Sequence, residues 1–193
     1  MNDQLQELKT KLGTAQTVLL SIPTNPSQDV VASALALYLS IKQAGKTVSI
    51  VASSAPVVRD SHLVGLDKIT EDVGGTNLVI TLDVPENIID KVTSNTEGGH
   101  LNLIIAPAKG AAPLTAQNVK FGYSGAAADL VMVIGAADLK DIGALAEKEL
   151  ELFKTERIAN ISNQVGSFGA INITDPSSSN SELVTALLKE LAL

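Results

Sequence analysis

Cysteine is absent, which removes disulfides, thiolate metal sites and cysteine nucleophiles from consideration. Histidine occurs only as His62 and His100, too few for a multi-histidine metal cluster in one chain. There is no tryptophan, and aromatic residues make up 3% of the chain, so a base-stacking platform is not available. Basic residues are scarce: 14 against 21 acidic ones, a formal charge of −7. A nucleic-acid surface normally carries the opposite sign. Charged residues of both signs amount to 18% against 45% hydrophobic ones, which argues against disorder and against a coiled coil. No apolar run reaches the roughly 18 residues of a membrane helix. The polar start Met1-Asn2-Asp3-Gln4 lacks the basic segment and unbroken apolar run of a signal peptide. The expectation is a cytoplasmic protein without membrane or nucleic-acid partners.

What is present is an alternation of short β-prone runs and helical spacings. The 193 residues suffice for one domain with a buried core. Leu5, Leu8 and Leu12 predict a helix over Asp3–Leu12, stopped by Gly13. Thr17–Ile22 reads as a buried strand. After the loop Pro23–Gln28, Asp29 is expected to cap a helix running to Ala44 and closed by Gly45. Thr47–Ala52 is the next strand, and the three form a βαβ unit, which implies parallel strands. Asn77–Leu82 is a strand ending in Asp83, and Pro85–Ile89 reads as one helical turn. Lys91–Asn95 and His100–Ala106 flank Thr96-Glu97-Gly98-Gly99 as a hairpin. Pro107–Pro113 is loop, and Val119–Phe121 adds a short strand. Leu130–Ile134 is a strongly apolar strand ending at Gly135, and Leu139–Phe153 has helical periodicity. Arg157–Ile161 and Ala170–Thr174 are further strands, and Ser179 with Glu182 forms a capping box before a last helix to Leu193. The predicted class is α/β: a mainly parallel, Rossmann-like sheet flanked by helices. It forms a single domain over 1–193, with an antiparallel hairpin inserted at about residues 91–122.

In open α/β sheets, sites form where the C-terminal ends of strands meet helix N-termini. The loops Pro23–Asp29, Asp83–Glu86, Gly135–Asp138 and Ser162–Gly169 qualify. Asn25-Pro26-Ser27-Gln28-Asp29, followed by Val30-Val31-Ala32-Ser33-Ala34-Leu35-Ala36-Leu37, resembles the first motif of the DHH phosphoesterases. That motif reads His-x-Asn-Pro-Asp-x-Asp and opens a helix with small residues. Ile158-Ala159-Asn160-Ile161-Ser162-Asn163-Gln164 is similar to the strand that ends Asn-Ile-Asp-His-His in that family. Phe168-Gly169-Ala170-Ile171-Asn172-Ile173-Thr174-Asp175-Pro176, with the serines up to Glu182-Leu183, resembles the strand and helix start that follow. The resemblance covers most of the chain, in the family's order, and points to the N-terminal domain of enzymes of the nanoRNase or pAp-phosphatase type.

Such enzymes hold two divalent cations, often manganese, on Asp and His and hydrolyse phosphoesters with a bridging water. At the positions this resemblance marks, the chain differs. The first motif's His is Pro23 and its first Asp is Ser27, and only Asp29 matches a ligand. For the second motif two strands compete. Asn77–Asp83 keeps an Asp, whereas Leu130–Gly135 ends in Gly. The latter is favoured because it directly precedes the Leu139 helix and the third motif. The Asp-His-His of the third motif becomes Ser162-Asn163-Gln164. In the family, the last helix leads to another metal-binding Asp and to a smaller substrate-gripping domain. Here Leu193 is the last residue, so that domain is expected to be missing.

Two divalent cations about 3.5–4 Å apart require several charged oxygen ligands. Asn25, Ser27, Asp29, Asp83, Ser162, Asn163 and Gln164 are therefore candidates for a vestigial pocket, with no catalytic residue, no metal ligand set and no cofactor assigned. Asp29 is equally a helix-start residue, and Asp83 a turn residue. Gly166-Ser167-Phe168-Gly169 does not form a nucleophile elbow, and Glu97-Gly98-Gly99-His100 reads as a turn. The expected role is non-enzymatic: assembly or regulation, with the chain itself as partner in an oligomer or filament, or with another protein. The hairpin strand carrying Leu101, Leu103, Ile104 and Ile105 is the candidate edge. The alternative is a divergent phosphoesterase or nucleotide binder acting on short oligonucleotides or nucleoside bisphosphates, as the resemblance implies.

Overall fold

The computed structural model describes residues 2–54, 63–75, 77–124 and 127–193. The chain divides into two compact units, one formed by residues 1–76 and 124–193, the other by residues 77–123.

The first unit is built on a six-stranded sheet. Its strands are β1 (Thr17–Ile22), β2 (Thr47–Ala52), β3 (Ile69–Thr70), β8 (Leu130–Ile134), β9 (Ile158–Ser162) and β10 (Ile171–Thr174), in the order β10-β9-β8-β1-β2-β3. Each neighbouring pair is parallel. The centre of the sheet explains the unbroken apolar runs: every residue of β8 and β9 is buried, as expected of a parallel sheet covered on both faces. One face receives α1 (Asn2–Thr14), α2 (Gln28–Gln43) and α4 (Asn180–Leu191). Leu8, Leu35, Leu37, Ile41, Val184 and Leu187 pack there with Leu20, Ile22, Met132 and Ile134. The opposite face receives residues 139–153, where Ile142, Leu145, Leu152 and Phe153 meet Leu19, Val51, Val131 and Val133. Neighbours such as Leu19 and Leu20 enter opposite layers, as strand alternation requires.

Several boundaries differ from the sequence expectation. α1 runs through Gly13 to Thr14. The Leu139–Phe153 helix is broken: a 3₁₀ turn over Leu139–Ile142 gives way at Gly143, with φ +69°, to the short α3 (Ala144–Lys148). Gly143 takes a backbone conformation that stops helix propagation, and periodicity alone does not reveal this. The capping box before α4 forms as read, Ser179 accepting from the Glu182 N–H and Glu182 from the Ser179 N–H.

The second unit holds two two-stranded sheets, β4 (Asn77–Leu82) with β7 (Val119–Ser124), and β5 (Ile89–Glu97) with β6 (His100–Pro107). β4 therefore lies outside the main sheet. In place of a helical turn over Pro85–Ile89, Glu86 and Asn87 form a turn with Asn87 at φ +63°, and Ile89 already opens β5. The hairpin is longer than expected, closing on the two-residue turn Gly98-Gly99 with φ +59° and +81°. That is the twist a type I′ turn needs, and glycine alone adopts it without strain.

Candidate functional site

The C-terminal ends of β1, β8 and β9 and the start of α4 surround a cavity of about 780 Å³. Its wall includes Thr24, Asn25, Ser27, Asp29, Gly135, Asp141, Asn163, Gln164, Ser179 and Asn180. Five of the candidate residues thus come together: Asn25, Ser27, Asp29, Asn163 and Gln164. Ser162 does not face the cavity. It is fully buried, and its hydroxyl accepts from the Gln164 N–H at 3.0 Å, which shapes the turn after β9. Asp83 belongs to the other unit, where its carboxylate pairs with Lys120 at 2.7 Å. His100 opens β6, and His62 lies outside the described residues.

The expectation that Asp29 caps its own helix is corrected. Ser27 is the N-cap of α2, its hydroxyl accepting from the Val30 N–H. Asp29 instead reaches across to α4. One carboxylate oxygen accepts from the Asn180 N–H at 2.9 Å and the other from the Ser181 N–H at 3.1 Å. These are first-turn donors without partners inside α4. Burial pushes the Asp29 carboxyl up, but the hydrogen bonds from Ser181 and Asn180 together outweigh it and hold it below its ordinary value. The buried Asn180 side chain then completes the wall: it accepts from the Asn163 N–H at 3.0 Å and donates to the Asn163 side-chain oxygen at 3.2 Å. α2, α4 and the loop after β9 are stitched together by one carboxylate and one amide.

Asp141, Asn180 and Thr24 were missed in the sequence. Asp141 accepts from the N–H groups of Ala137 and Asp138 at 2.9 and 3.0 Å, and its carbonyl accepts from the Thr24 N–H and hydroxyl. The spacing Asp138-x-x-Asp141 was the available signal, since each Asp accepts from backbone at the other end of a capping box. Gly135 sits at the cavity floor with φ +77°. A Cβ there would overlap the methyl groups of Val30 in the first turn of α2. The site therefore requires a residue without a side chain.

Chemically, the cavity presents hydroxyls and amides and two carboxylates already holding backbone N–H groups, and among the described residues no Lys or Arg lines it. Among the described residues, no three of His, Cys, Asp and Glu gather as a metal-binding group. Such a donor set does not fit a pair of dications. Among the same residues, no helix is long and apolar enough to cross a membrane.

No protein-family description matches the chain, and no curated protein is similar to it in sequence. Its fold has a counterpart among solved structures: an exopolyphosphatase-related protein from Bacteroides fragilis, with a TM-score of 0.65 at 15% identity. The match covers 99% of this chain and 44% of that protein, so this chain spans less than half of its length. The α/β architecture is thus one that an exopolyphosphatase-related protein also uses.

Proposed function

We propose that this chain is a DHH-like domain that does not hydrolyse phosphoesters and that acts by association, in assembly or regulation. One observation carries the reading. Asp29, the single carboxylate retained among the ligand positions of the resembling motifs, has both oxygens bound to the α4 N–H groups. A metal there would have to compete with two backbone donors for the same oxygens, and the other carboxylate of the wall, Asp141, is likewise held by the Ala137 and Asp138 N–H groups. The position where an Asp ligand is expected, Gly135, has neither the backbone conformation nor the room for one.

The test is metal content and turnover. Protein equilibrated with excess Mn²⁺ and then dialysed should retain no stoichiometric metal, and a generic phosphodiester should not be hydrolysed. Retained manganese, or hydrolysis that disappears in Asp29→Ala, would overturn the reading. The second reading, a divergent phosphoesterase or nucleotide binder, draws on the size of the cavity and on the structural likeness to the exopolyphosphatase-related protein. It requires calorimetric binding of a nucleoside bisphosphate or short oligonucleotide that the cavity variant Asn163→Asp weakens.

A further inference from the structure

We propose that the free edge of β6 pairs with β6 of a second copy, antiparallel about a two-fold axis through Leu103, joining two hairpins into a four-stranded sheet. This deepens the association reading by naming the partner and the surface.

The argument starts from the hairpin register. Glu97 pairs with His100 across the two-residue turn, followed by Thr96 with Leu101, Asn95 with Asn102, Ser94 with Leu103, Thr93 with Ile104 and Val92 with Ile105. In a hairpin with a two-residue turn, the pair next to the turn is hydrogen-bonded, and bonded and non-bonded pairs alternate from there. The N–H and C=O groups of His100, Asn102 and Ile104 therefore face β5. Those of Leu101, Leu103 and Ile105 face the open edge.

Strand alternation places the side chains of these same three residues on one face, beside Val92, Ser94 and Thr96. The other face carries Asn95 and Asn102, joined by a 2.9 Å amide hydrogen bond, with Glu97, His100, Thr93 and Ile104. The three residues whose backbone groups face the open edge, unpaired among the described residues, all carry aliphatic side chains on one face, while the aliphatic Ile104 is 52% exposed on the other. Leu101 and Leu103 are 68% and 47% exposed and Val92 59%. None of the residues of β5 or β6 is buried, and a two-stranded sheet alone is marginal in water.

A second copy fits this edge because the segment is close to its own complement. With Leu103 on the axis, Leu101 meets Ile105 of the other copy, and Ile105 meets its Leu101. All outward backbone groups of the three residues are satisfied at once, in one continuous aliphatic stripe. Charge also favours a copy of itself. Leu101–Pro107 carries no charged side chain, so self-pairing sets no like charges opposite one another. Residues 77–123 hold the carboxylates Asp83, Glu86, Asp90 and Glu97 against Lys91, Lys109 and Lys120, so this unit is nearly neutral in a chain of net −7. β6 also lacks the lysine or interior proline that usually protects an open edge.

The 193-residue chain, free of cysteine, permits a direct test. Sedimentation velocity should show a dimer that Leu103→Lys converts to monomer, with unchanged far-ultraviolet circular dichroism. Leu103→Cys should form an intermolecular disulfide on mild oxidation, because paired Cα atoms there lie about 5.5 Å apart, within disulfide reach. Leu101→Cys alone should not cross-link, whereas a mixture of Leu101→Cys and Ile105→Cys should. A wild-type chain that stays monomeric at millimolar concentration overturns the proposal. So does a dimer that survives Leu103→Lys while Leu103→Cys remains unlinked, or a ladder of larger oligomers, since a two-fold pairing closes on itself. Metal retention and phosphodiester turnover are measured on the same samples. Failed pairing with no turnover rejects this interface alone, and turnover by an intact dimer rejects the silent-pocket reading alone.

Discussion

The two units use aliphatic side chains in opposite ways. In the first, β8 and β9 are buried along their whole length and helices close both faces of the sheet. In the second, no residue of β4, β5 or β6 is buried, although these strands carry Leu78, Val92, Leu101 and Leu103. Hydrophobic composition alone therefore does not make a core. A parallel sheet brings its own cover, because each crossover has to return over a face. A hairpin needs only two glycines to close, and leaves both faces and both edges to be covered by something else.

The largest expected effect follows from this contrast. Ile134 is fully buried at the C-terminal end of β8, so Ile134→Ala should cost about 2–5 kcal/mol in denaturant unfolding. Leu103→Ala, at an exposed position, should change the unfolding of the monomer by less than about 0.5 kcal/mol. Equal losses would show that the hairpin already has a core within one chain, and the contrast would fail.

Next comes Gly135. Its positive φ disfavours any other residue, by about 1–3 kcal/mol, and the Val30 methyl groups add a steric penalty. Gly135→Ala should be destabilising, and Val30→Ala in the same chain should recover part of the loss by making room. A neutral Gly135→Ala would mean that α2 yields easily, and that the position has room for a side chain after all.

Legibility in the sequence follows the same division. The sequence expectation meets the observed ends of β1, β2 and the strongly apolar β8, because strands that enter the core and are bounded by turn residues give an unambiguous signal; it also meets those of β4, a β-prone run before Asp83 none of whose residues is buried. The α4 capping box was equally clear, being a four-residue device. The broken helix after Leu139 was not, since Leu139, Ile142 and Leu145 keep a helical spacing through a glycine whose backbone angle only tertiary packing sets. The pairing of β4 with β7 is also a tertiary choice, made between strands far apart in the chain. In the cavity, Asn25, Ser27, Asn163 and Gln164 could be placed from the loops that carry them. The bond from Asp29 to α4 could not, because its donors lie some 150 residues away.

That bond makes a mid-sized prediction. Asp29→Asn should destabilise the first unit by about 1–2 kcal/mol at neutral pH, the scale of a lost charged helix cap. The folded carboxyl lies below its unfolded value of about 3.9. Its contribution is therefore complete above that value and fades as pH falls through the folded one. Wild type and Asp29→Asn should differ most at neutral pH and converge below about pH 4. A gap that stays constant across this range would show that the lost interaction is packing, and that the carboxylate charge contributes nothing.

The smallest effect belongs to the second unit's carboxylate. Lys120 holds Asp83 below its ordinary value through a hydrogen bond and its charge, as α4 does for Asp29, but the two situations differ physically. The Asp83 partner is a flexible lysine on an exposed surface, whereas the Asp29 donors are backbone groups fixed by a helix. Ordering a long side chain costs entropy that a backbone N–H has already lost, and water and salt screen exposed charges. Asp83→Asn should leave the unfolding midpoint unchanged within error at moderate ionic strength. Any difference seen in dilute buffer should vanish near about 1 M salt, where charges are screened within about 3 Å. The Asp29→Asn gap should persist at the same salt, because short hydrogen bonds to fixed donors survive screening that removes a surface ion pair. If salt erases both gaps alike, the two carboxylates are equivalent surface charges, and Asp29 is no fixed link between α2 and α4.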